Sequence, residues 1–144
     1  MISFYTPTYF ALQELVPPEI YSELGDSAWR FFDPRMLWTL DELRKLFGVA
    51  YVNNWHKDGA NEYSGLRPFV CSTGAPYSLH KFGRAFDVKF ADKKVEEVRE
   101  YIWKNLELPA FQHITCIEMN VNWLHIDNRN YNKKDLGILK IYPQ

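Results

Sequence analysis

The apolar positions of the chain first become regular between residues 33 and 48, where they have the spacing of an amphipathic helix. Asp33 is a suitable N-terminal cap, Pro34 fits the first turn of a helix, and Gly48 can close the last one. We therefore predict a helix between Asp33 and Gly48 with one buried face. The positions on that face are Leu37, Leu40, Leu43 and Phe47.

Strands are predicted where polar and apolar residues alternate with a period of two. Asp87 lies in such a segment, so its side chain is expected on the face opposite to its apolar neighbours. Two more strands are expected at residues 115–119 and 123–127, joined by a tight turn around Asn120, and an earlier strand starts at residues 50–52. The apolar neighbours of Asp87 are Phe86, Val88 and Phe90.

The remaining segments complete the predicted fold. A second helix is expected from Asp92, as its cap, to Lys104. Residues 53–77 are rich in Gly, Asn, Pro and Ser and predict a long irregular loop, which in a small domain is usually functional. This order of elements predicts an α+β fold with a small antiparallel sheet backed by helices. The core face of the second helix would contain Val95, Val98 and Ile102.

Size and composition indicate one domain of 144 residues. We divide it into an N-terminal arm with a short helix (residues 1–30), a core with the motifs (31–130) and a C-terminal tail (131–144). The net charge of −1 and the lack of basic runs argue against nucleic-acid binding. No signal-peptide pattern and no segment of transmembrane length are seen. Cys71 and Cys116 form no CxxC motif, and a single bridge between them stays open.

Two short motifs carry the candidate chemistry. Residues 78–87 follow the pattern S-x-H-x-x-G-x-A-x-D, and residues 123–127 follow W-x-H-x-D. They contain His80, Asp87 and His125, and two imidazoles with one carboxylate suit a zinc ion that keeps one coordination position open. Zinc in such a site acidifies water and polarises a carbonyl, which is the chemistry of amide hydrolysis. We therefore predict a zinc peptidase.

Residues around these candidate ligands have supporting roles in this prediction. Gly83 would permit a backbone angle that a side chain forbids between His80 and the following strand. Asp127 shares a strand face with His125, so it is expected either to orient that imidazole or to bind the backbone.

The motifs resemble those of the hedgehog-type zinc peptidases. This superfamily includes bacterial D-alanyl-D-alanine carboxypeptidases and dipeptidases, phage L-alanyl-D-glutamate endolysins and the hedgehog signalling domain. The segment Ser64-Gly65-Leu66-Arg67 is similar to the S-G-x-R element of the superfamily, and residues 33–48 and 53–55 are similar to its first helix and following strand. The resemblance covers roughly residues 30–130 and implies a hedgehog/DD-peptidase-like fold.

The resemblance also implies roles for individual residues. It implies zinc held by His80, Asp87 and His125. It implies that Arg67 binds the scissile carbonyl or stabilises the anionic tetrahedral intermediate, a sound role for a fixed guanidinium. Ser78 would bind substrate or, as an equal alternative, cap a turn.

The general base is the point at which the chain departs from the family pattern. Many members have an acid three residues before the last histidine, and this chain has Asn122 there, whose amide cannot accept a proton. Glu118 is similar to the glutamate of the family's I-E strand and is our candidate base, with a structural glutamate as the competing interpretation. Weaker candidates are Asp127, His113 and His56.

Two functions follow from these expectations. The first is a zinc metallopeptidase, acting as a carboxypeptidase or an endopeptidase on peptidoglycan peptides that contain D-amino acids. It would be made in the cytoplasm without a signal peptide, act as a monomer by default, and reach the cell wall after release or on a phage particle. The second is a non-catalytic zinc-binding interaction module of the same fold, with Asn122 in its favour and the aromatic-rich residues 4–22 as a docking surface. Neither function involves nucleic acid or membrane insertion.

Overall fold

The computed structural model describes residues 3–143. The helices in this range are α1 (Pro18–Leu24), α2 (Pro34–Phe47), α3 (Val95–Lys104) and α4 (Lys133–Leu136). The strands are β1 (Ala50–Tyr51), β2 (Ala85–Phe90), β3 (Cys116–Glu118), β4 (Leu124–Asp127) and β5 (Leu139–Ile141). Short 3-10 turns lie at Leu12–Glu14, Gly25–Phe31, Trp55–Lys57, Leu79–Phe82 and Pro109–Phe111.

The strands form one mixed sheet in the order β1-β2-β4-β3-β5, so the predicted α+β class with a sheet backed by helices is confirmed. All neighbouring pairs are antiparallel except the last, in which β5 runs parallel to β3. The purely antiparallel sheet of the prediction is therefore wrong at this edge. Because β5 has only three residues, its alternation is too short to recognise, and it lies within the segment that we expected to be a tail.

Helix α2 begins and ends where the sequence predicts. The Asp33 carboxylate accepts a hydrogen bond from the Arg35 backbone N–H at 2.9 Å, and Gly48 closes the helix at φ +88°. Burial alone raises the pKa of Asp33, but hydrogen bonds from Arg35 and Asn128 outweigh it and hold the pKa at about 2. All four residues of the predicted stripe are buried in the core, namely Leu37, Leu40, Leu43 and Phe47.

Helix α3 ends at Lys104 as predicted but begins later than expected. The prediction that Asp92 caps it is wrong, because the helix starts at Val95 after Lys94, whose side chain makes no capping hydrogen bond. Asp92 is exposed and lies in the bend between β2 and α3, where the chain reverses before the helix can begin. The predicted core face is confirmed at Val98 and Ile102, which are fully buried.

The N-terminal arm packs beneath the long loop. Leu15 is fully buried, and its carbonyl accepts a hydrogen bond from the Leu66 N–H at 2.8 Å. The predicted short helix corresponds to α1, and the predicted loop over residues 53–77 contains one 3-10 turn. Residues 1, 2 and 144 of the predicted arm and tail lie outside the described range.

The two cysteines are both free thiols, so the bridge left open by the sequence does not form. Cys71 is half-buried, whereas Cys116 lies on β3 and is wholly buried, which raises the pKa of its thiol to about 12. None of the helices in residues 3–143 has the length and apolar character that crossing a bilayer requires.

Candidate metal centre

His80 lies in the 3-10 turn Leu79–Phe82, and the residues at each end of that turn fix its position. Ser78 caps the turn, since its hydroxyl accepts a hydrogen bond from the His80 N–H at 3.3 Å. Gly83 ends the turn at φ +66°, and a Cβ there would lie 1.9 Å from the Phe31 carbonyl oxygen. Glycine is therefore required for its backbone angle, as the sequence predicts, and also for its lack of a side chain.

The sheet register brings three acidic and imidazole groups into one row. Asp87 of β2 is paired with His125 of the neighbouring strand β4. On the other side of β4, the pairs Cys116 with Asp127 and Ile117 with Ile126 place Glu118 opposite His125. Residues directly opposite each other in an antiparallel pair point to the same face. The side chains of Asp87, His125 and Glu118 therefore lie side by side on three adjacent strands.

Both imidazoles present one ring nitrogen to Asp87 and bind an acceptor with the other. His80 Nδ1 lies 2.9 Å from the Gly65 carbonyl oxygen, which leaves Nε2 at 3.3 Å from Asp87 Oδ1. His125 Nε2 lies 2.8 Å from Asp127 Oδ2, which leaves Nδ1 at 2.9 Å from the same Asp87 oxygen. A neutral ring that donates its outer N–H to this acceptor would present the lone pair of its inner nitrogen to a metal ion.

The geometry of these atoms fits a divalent metal ion. One ligand atom each from His80, Asp87 and His125 lies within 4.8 Å of the other two. Zinc bonds of about 2.0–2.2 Å in a tetrahedral arrangement require ligand atoms roughly 3–3.5 Å apart. Asp87 Oδ1 lies 3.3 Å from His80 Nε2 and 2.9 Å from His125 Nδ1, which is close to that spacing. The three predicted ligands therefore form a candidate metal site.

The charge distribution favours a cation at this position. Burial raises the pKa of Asp87, but the imidazoles of His80 and His125 outweigh it and hold the pKa of this carboxyl well below its usual range. Burial lowers the pKa of His125, but the hydrogen bonds and negative charges of Asp127 and Asp87 have the larger effect and raise this pKa to about 9. The carboxylates thus hold positive charge on the ring, and a metal ion would compete with that proton.

Asp127 supports His125 from behind and is itself held by Arg129. The carboxylate of Asp127 is fully buried and accepts hydrogen bonds from Arg129 Nε at 2.9 Å and Nη2 at 2.6 Å. It also accepts one from the Arg129 backbone N–H at 3.1 Å, so both alternatives predicted for Asp127 occur together. Because its oxygens lie on the far side of the ring from Asp87, Asp127 is not placed to act as a base. Arg129 is not among the site residues predicted from the sequence, where its one signal is its position two residues after Asp127.

The segment that contains the S-G-x-R element, residues 64–67, forms backbone hydrogen bonds with both His80 and Asp87. The Ser64 carbonyl accepts a hydrogen bond from the Asp87 N–H at 2.8 Å, and the Arg67 N–H donates one to the His80 carbonyl at 3.1 Å. A Cβ on Gly65 would lie 2.2 Å from the Leu15 carbonyl oxygen, so only glycine fits there. The segment therefore positions the first two candidate ligands through its backbone, which the motif alone does not reveal.

The Arg67 guanidinium is held in place by three acceptors. Its Nε donates to the Tyr63 carbonyl at 2.6 Å, and its Nη1 donates to the Thr73 carbonyl at 3.3 Å. Its Nη2 lies 3.3 Å from Asp87 Oδ2, the oxygen that does not face His125 Nδ1. Arg67 therefore fixes the orientation of Asp87 and places a buried positive charge beside the candidate ligands.

Glu118 lies beside the ligand cluster, with Oε2 at 3.4 Å from His125 Nδ1. The weaker candidate bases lie elsewhere. His113 packs edge-on against Trp38, and His56 packs against Trp55. Asn122, which occupies the position usually taken by an acid, is exposed.

The ligand cluster opens into a cleft of about 840 Å³, which we call the larger cleft. Its lining includes the predicted residue Ser78 as well as Arg129. An adjoining cleft of about 460 Å³, the smaller cleft, is lined by residues that include Asn122. Both volumes lie in the range of known small-molecule sites, about 300–1,000 Å³. The arrangement can thus hold a metal ion at the base of a cleft that is large enough for a short peptide.

No family model, curated protein or solved structure matches this chain.

Proposed function

We propose that this protein is a zinc-dependent peptidase that hydrolyses an amide bond in bacterial peptidoglycan peptides. The observation that carries the proposal is the convergence of the inward-facing ring nitrogens of His80 and His125 on one oxygen of Asp87, with a second carboxylate, Glu118, 3.4 Å from His125 Nδ1. A ligand set of this kind, placed in a cleft and supported by a buried carboxylate, is typical of catalytic metal sites.

His80 Nε2, Asp87 Oδ1 and His125 Nδ1 would hold the ion. Two imidazoles and one carboxylate suit zinc, whereas calcium and magnesium prefer sites made of oxygen atoms alone. When bound, zinc polarises a substrate carbonyl and lowers the pKa of water, which is the chemistry that amide hydrolysis requires.

The side chains around the ligands supply the remaining functions. In the proposal, a Glu118 carboxylate oxygen accepts a proton from the attacking water and later passes it to the departing amine. Arg67 holds Asp87 and stabilises the negative charge that develops on the substrate carbonyl oxygen. Ser78 holds the turn around His80 and contacts substrate from the wall of the larger cleft.

The substrate class comes from the resemblance of the two motifs to the hedgehog-type zinc peptidases. Many of those enzymes act on short cell-wall peptides that contain D-amino acids, and this chain has their S-G-x-R element in contact with its candidate ligands. We therefore propose a role in cell-wall degradation, either in lysis by a phage or as part of a phage particle.

The proposal is tested by incubating purified muropeptides with the zinc-loaded protein and recording the products by mass spectrometry. We expect new fragments with the wild type and none with His80→Ala. Glu118→Gln should also abolish cleavage while zinc stays bound. His113→Ala, which removes an imidazole outside the site, is the matched control and should cleave normally. Intact muropeptides after incubation with the zinc-loaded wild type would contradict the proposal.

A zinc-binding interaction module is the second candidate function, and Asn122 at the usual position of the acid favours it. In that case the metal stabilises the fold and the surface binds a partner. Glu118→Gln separates the two functions, because it should remove an activity in a peptidase and change nothing in a binding module.

A further inference from the structure

Two clefts meet at Asp87 of the candidate metal centre and share part of their walls. The larger cleft contains His80, His125 and Glu118, whereas the smaller cleft extends along β2 towards β1. Because the candidate ligand Asp87 lies at their junction, a ligand bound at the metal centre is open to both clefts. The side chains that line both are Arg67, Thr73, Asp87 and Trp123.

The position of Lys89 on β2 gives its distance from the metal centre along the smaller cleft. Asp87 and Lys89 are two residues apart on β2 and therefore point to the same face, at a spacing of about 6.6 Å along the strand. Lys89 is paired with Tyr51 of β1, and both side chains are exposed and line the smaller cleft. An extended peptide advances by about 3.3 Å per residue, so Lys89 lies roughly two substrate residues from the metal centre.

The smaller cleft also has charged groups available for recognition. Lys89 places an exposed ammonium group on its wall, and Glu62, which is half-buried, places a carboxylate there. A substrate residue that carries one carboxylate, with or without a neighbouring amino group, suits this pair better than an apolar residue does.

We propose that the substrate lies across both clefts, so that the bond cut is internal to the peptide, and that Lys89 binds a substrate carboxylate about two residues from that bond. This inference rests on the proposed peptidase function. In the reaction, water adds its hydroxyl group to the carbonyl carbon and its remaining proton to the amide nitrogen, the C–N bond breaks, and each product contains at least two residues.

Removal of a single C-terminal residue is the alternative cleavage mode. It would require a cation next to the bond for the terminal carboxylate, and the arginines that line the larger cleft are Arg67 and Arg129. However, the Arg67 guanidinium already donates to three acceptors, and Arg129 already donates Nε and Nη2 to Asp127. In addition, the smaller cleft continues past the metal centre instead of closing there.

The first experiment compares the zinc-loaded protein on two purified muropeptides, a stem peptide that ends in D-Ala-D-Ala and a cross-linked dimer of such stems. Products in which both fragments contain two or more residues support the inference. Release of single alanine residues alone overturns the inference while supporting the proposed function. The absence of any cleavage overturns both.

The second experiment measures binding without turnover, using Glu118→Gln protein loaded with zinc. The probes are two synthetic peptides that differ only in a carboxylate or an amide two residues from the cleaved bond, and affinity is measured by calorimetry. In this background Lys89→Ala should weaken binding of the carboxylate peptide about two- to fivefold, as expected for an exposed ion pair, and leave the amide peptide unchanged. Lys134→Ala, which removes an exposed ammonium group outside both clefts, is the control and should bind both peptides normally. Equal affinity of Lys89→Ala and its parent for the carboxylate peptide would overturn the role of Lys89.

Discussion

Asp127→Asn should weaken metal binding although Asp127 is not a ligand. The Asp127 carboxylate accepts hydrogen bonds from His125 Nε2 at 2.8 Å and from Arg129 Nε, Nη2 and backbone N at 2.9, 2.6 and 3.1 Å. Asparagine replaces one of the two oxygens by an NH₂ group, which then faces donors in either amide orientation. Because the ring of His125 loses its fixed orientation, the inner nitrogen is no longer held towards Asp87.

The expected loss follows from the usual effect of such supporting carboxylates. Their removal lowers metal affinity about 10- to 100-fold, which corresponds to roughly 1.4–2.7 kcal/mol of binding free energy. The assay is competition for zinc with a chromophoric chelator at neutral pH. Asp135→Asn, at an exposed carboxylate on α4, is the matched control and should bind zinc as the wild type does.

The stability of the variant has to be measured alongside its affinity, because Asp127 is buried and its loss leaves Arg129 without its main partner. Circular dichroism identifies conditions in which Asp127→Asn is folded, and the zinc competition is carried out there. A folded Asp127→Asn protein with wild-type zinc affinity would show that Asp127 does not orient His125 for metal binding.

Three further predictions concern the fold around the site. Gly83→Ala should lower the free energy of unfolding by about 2–4 kcal/mol in urea titrations, because the added Cβ meets a carbonyl oxygen and the backbone φ is positive. Gly137→Ala is the control, since Gly137 has φ +75° but open space around it, and it should lose only about 1 kcal/mol. Equal losses in the two variants would contradict the steric explanation. The pKa of Asp33 is about 2 in the folded protein and roughly 3.9 in the unfolded chain. The ionised carboxylate therefore stabilises the fold above about pH 4, and this stabilisation is lost as the pH falls towards 2. The stability difference between wild type and Asp33→Asn should therefore shrink below about pH 4, and a constant difference would contradict the assignment. A thiol reagent at neutral pH should label Cys71 quickly and Cys116 only after denaturation, since burial shields the Cys116 thiol and raises its pKa to about 12. Rapid labelling of both thiols in the native protein would contradict the burial of Cys116.

Local sequence signals were sufficient for helix α2 and for the three candidate ligands. The Asp33 cap, the helical spacing and Gly48 all favour the same helix, and the motifs contain His80, Asp87 and His125 in short segments with strong local constraints. Gly83 was predicted to need an unusual backbone angle, and its φ of +66° agrees.

Features that depend on long-range pairing could not be predicted in the same way. The position of Glu118 depends on the register between β3 and β4, which places it opposite His125 after a turn whose length the sequence does not define. Strand β5 exists because it pairs with β3, and three residues show no clear alternation by themselves. The contact between Asp127 and Arg129 depends on side-chain directions at the end of β4.

Whether His80, Asp87 and His125 form a metal centre is measured by native mass spectrometry of the zinc-dialysed protein. The chain contains four histidines, so His56→Ala and His113→Ala provide controls matched to His80→Ala and His125→Ala. We predict one bound zinc ion in the wild type and both controls, and none in the two ligand variants under the same conditions. Zinc retained by His80→Ala and His125→Ala, or absent from the wild type, would contradict the account.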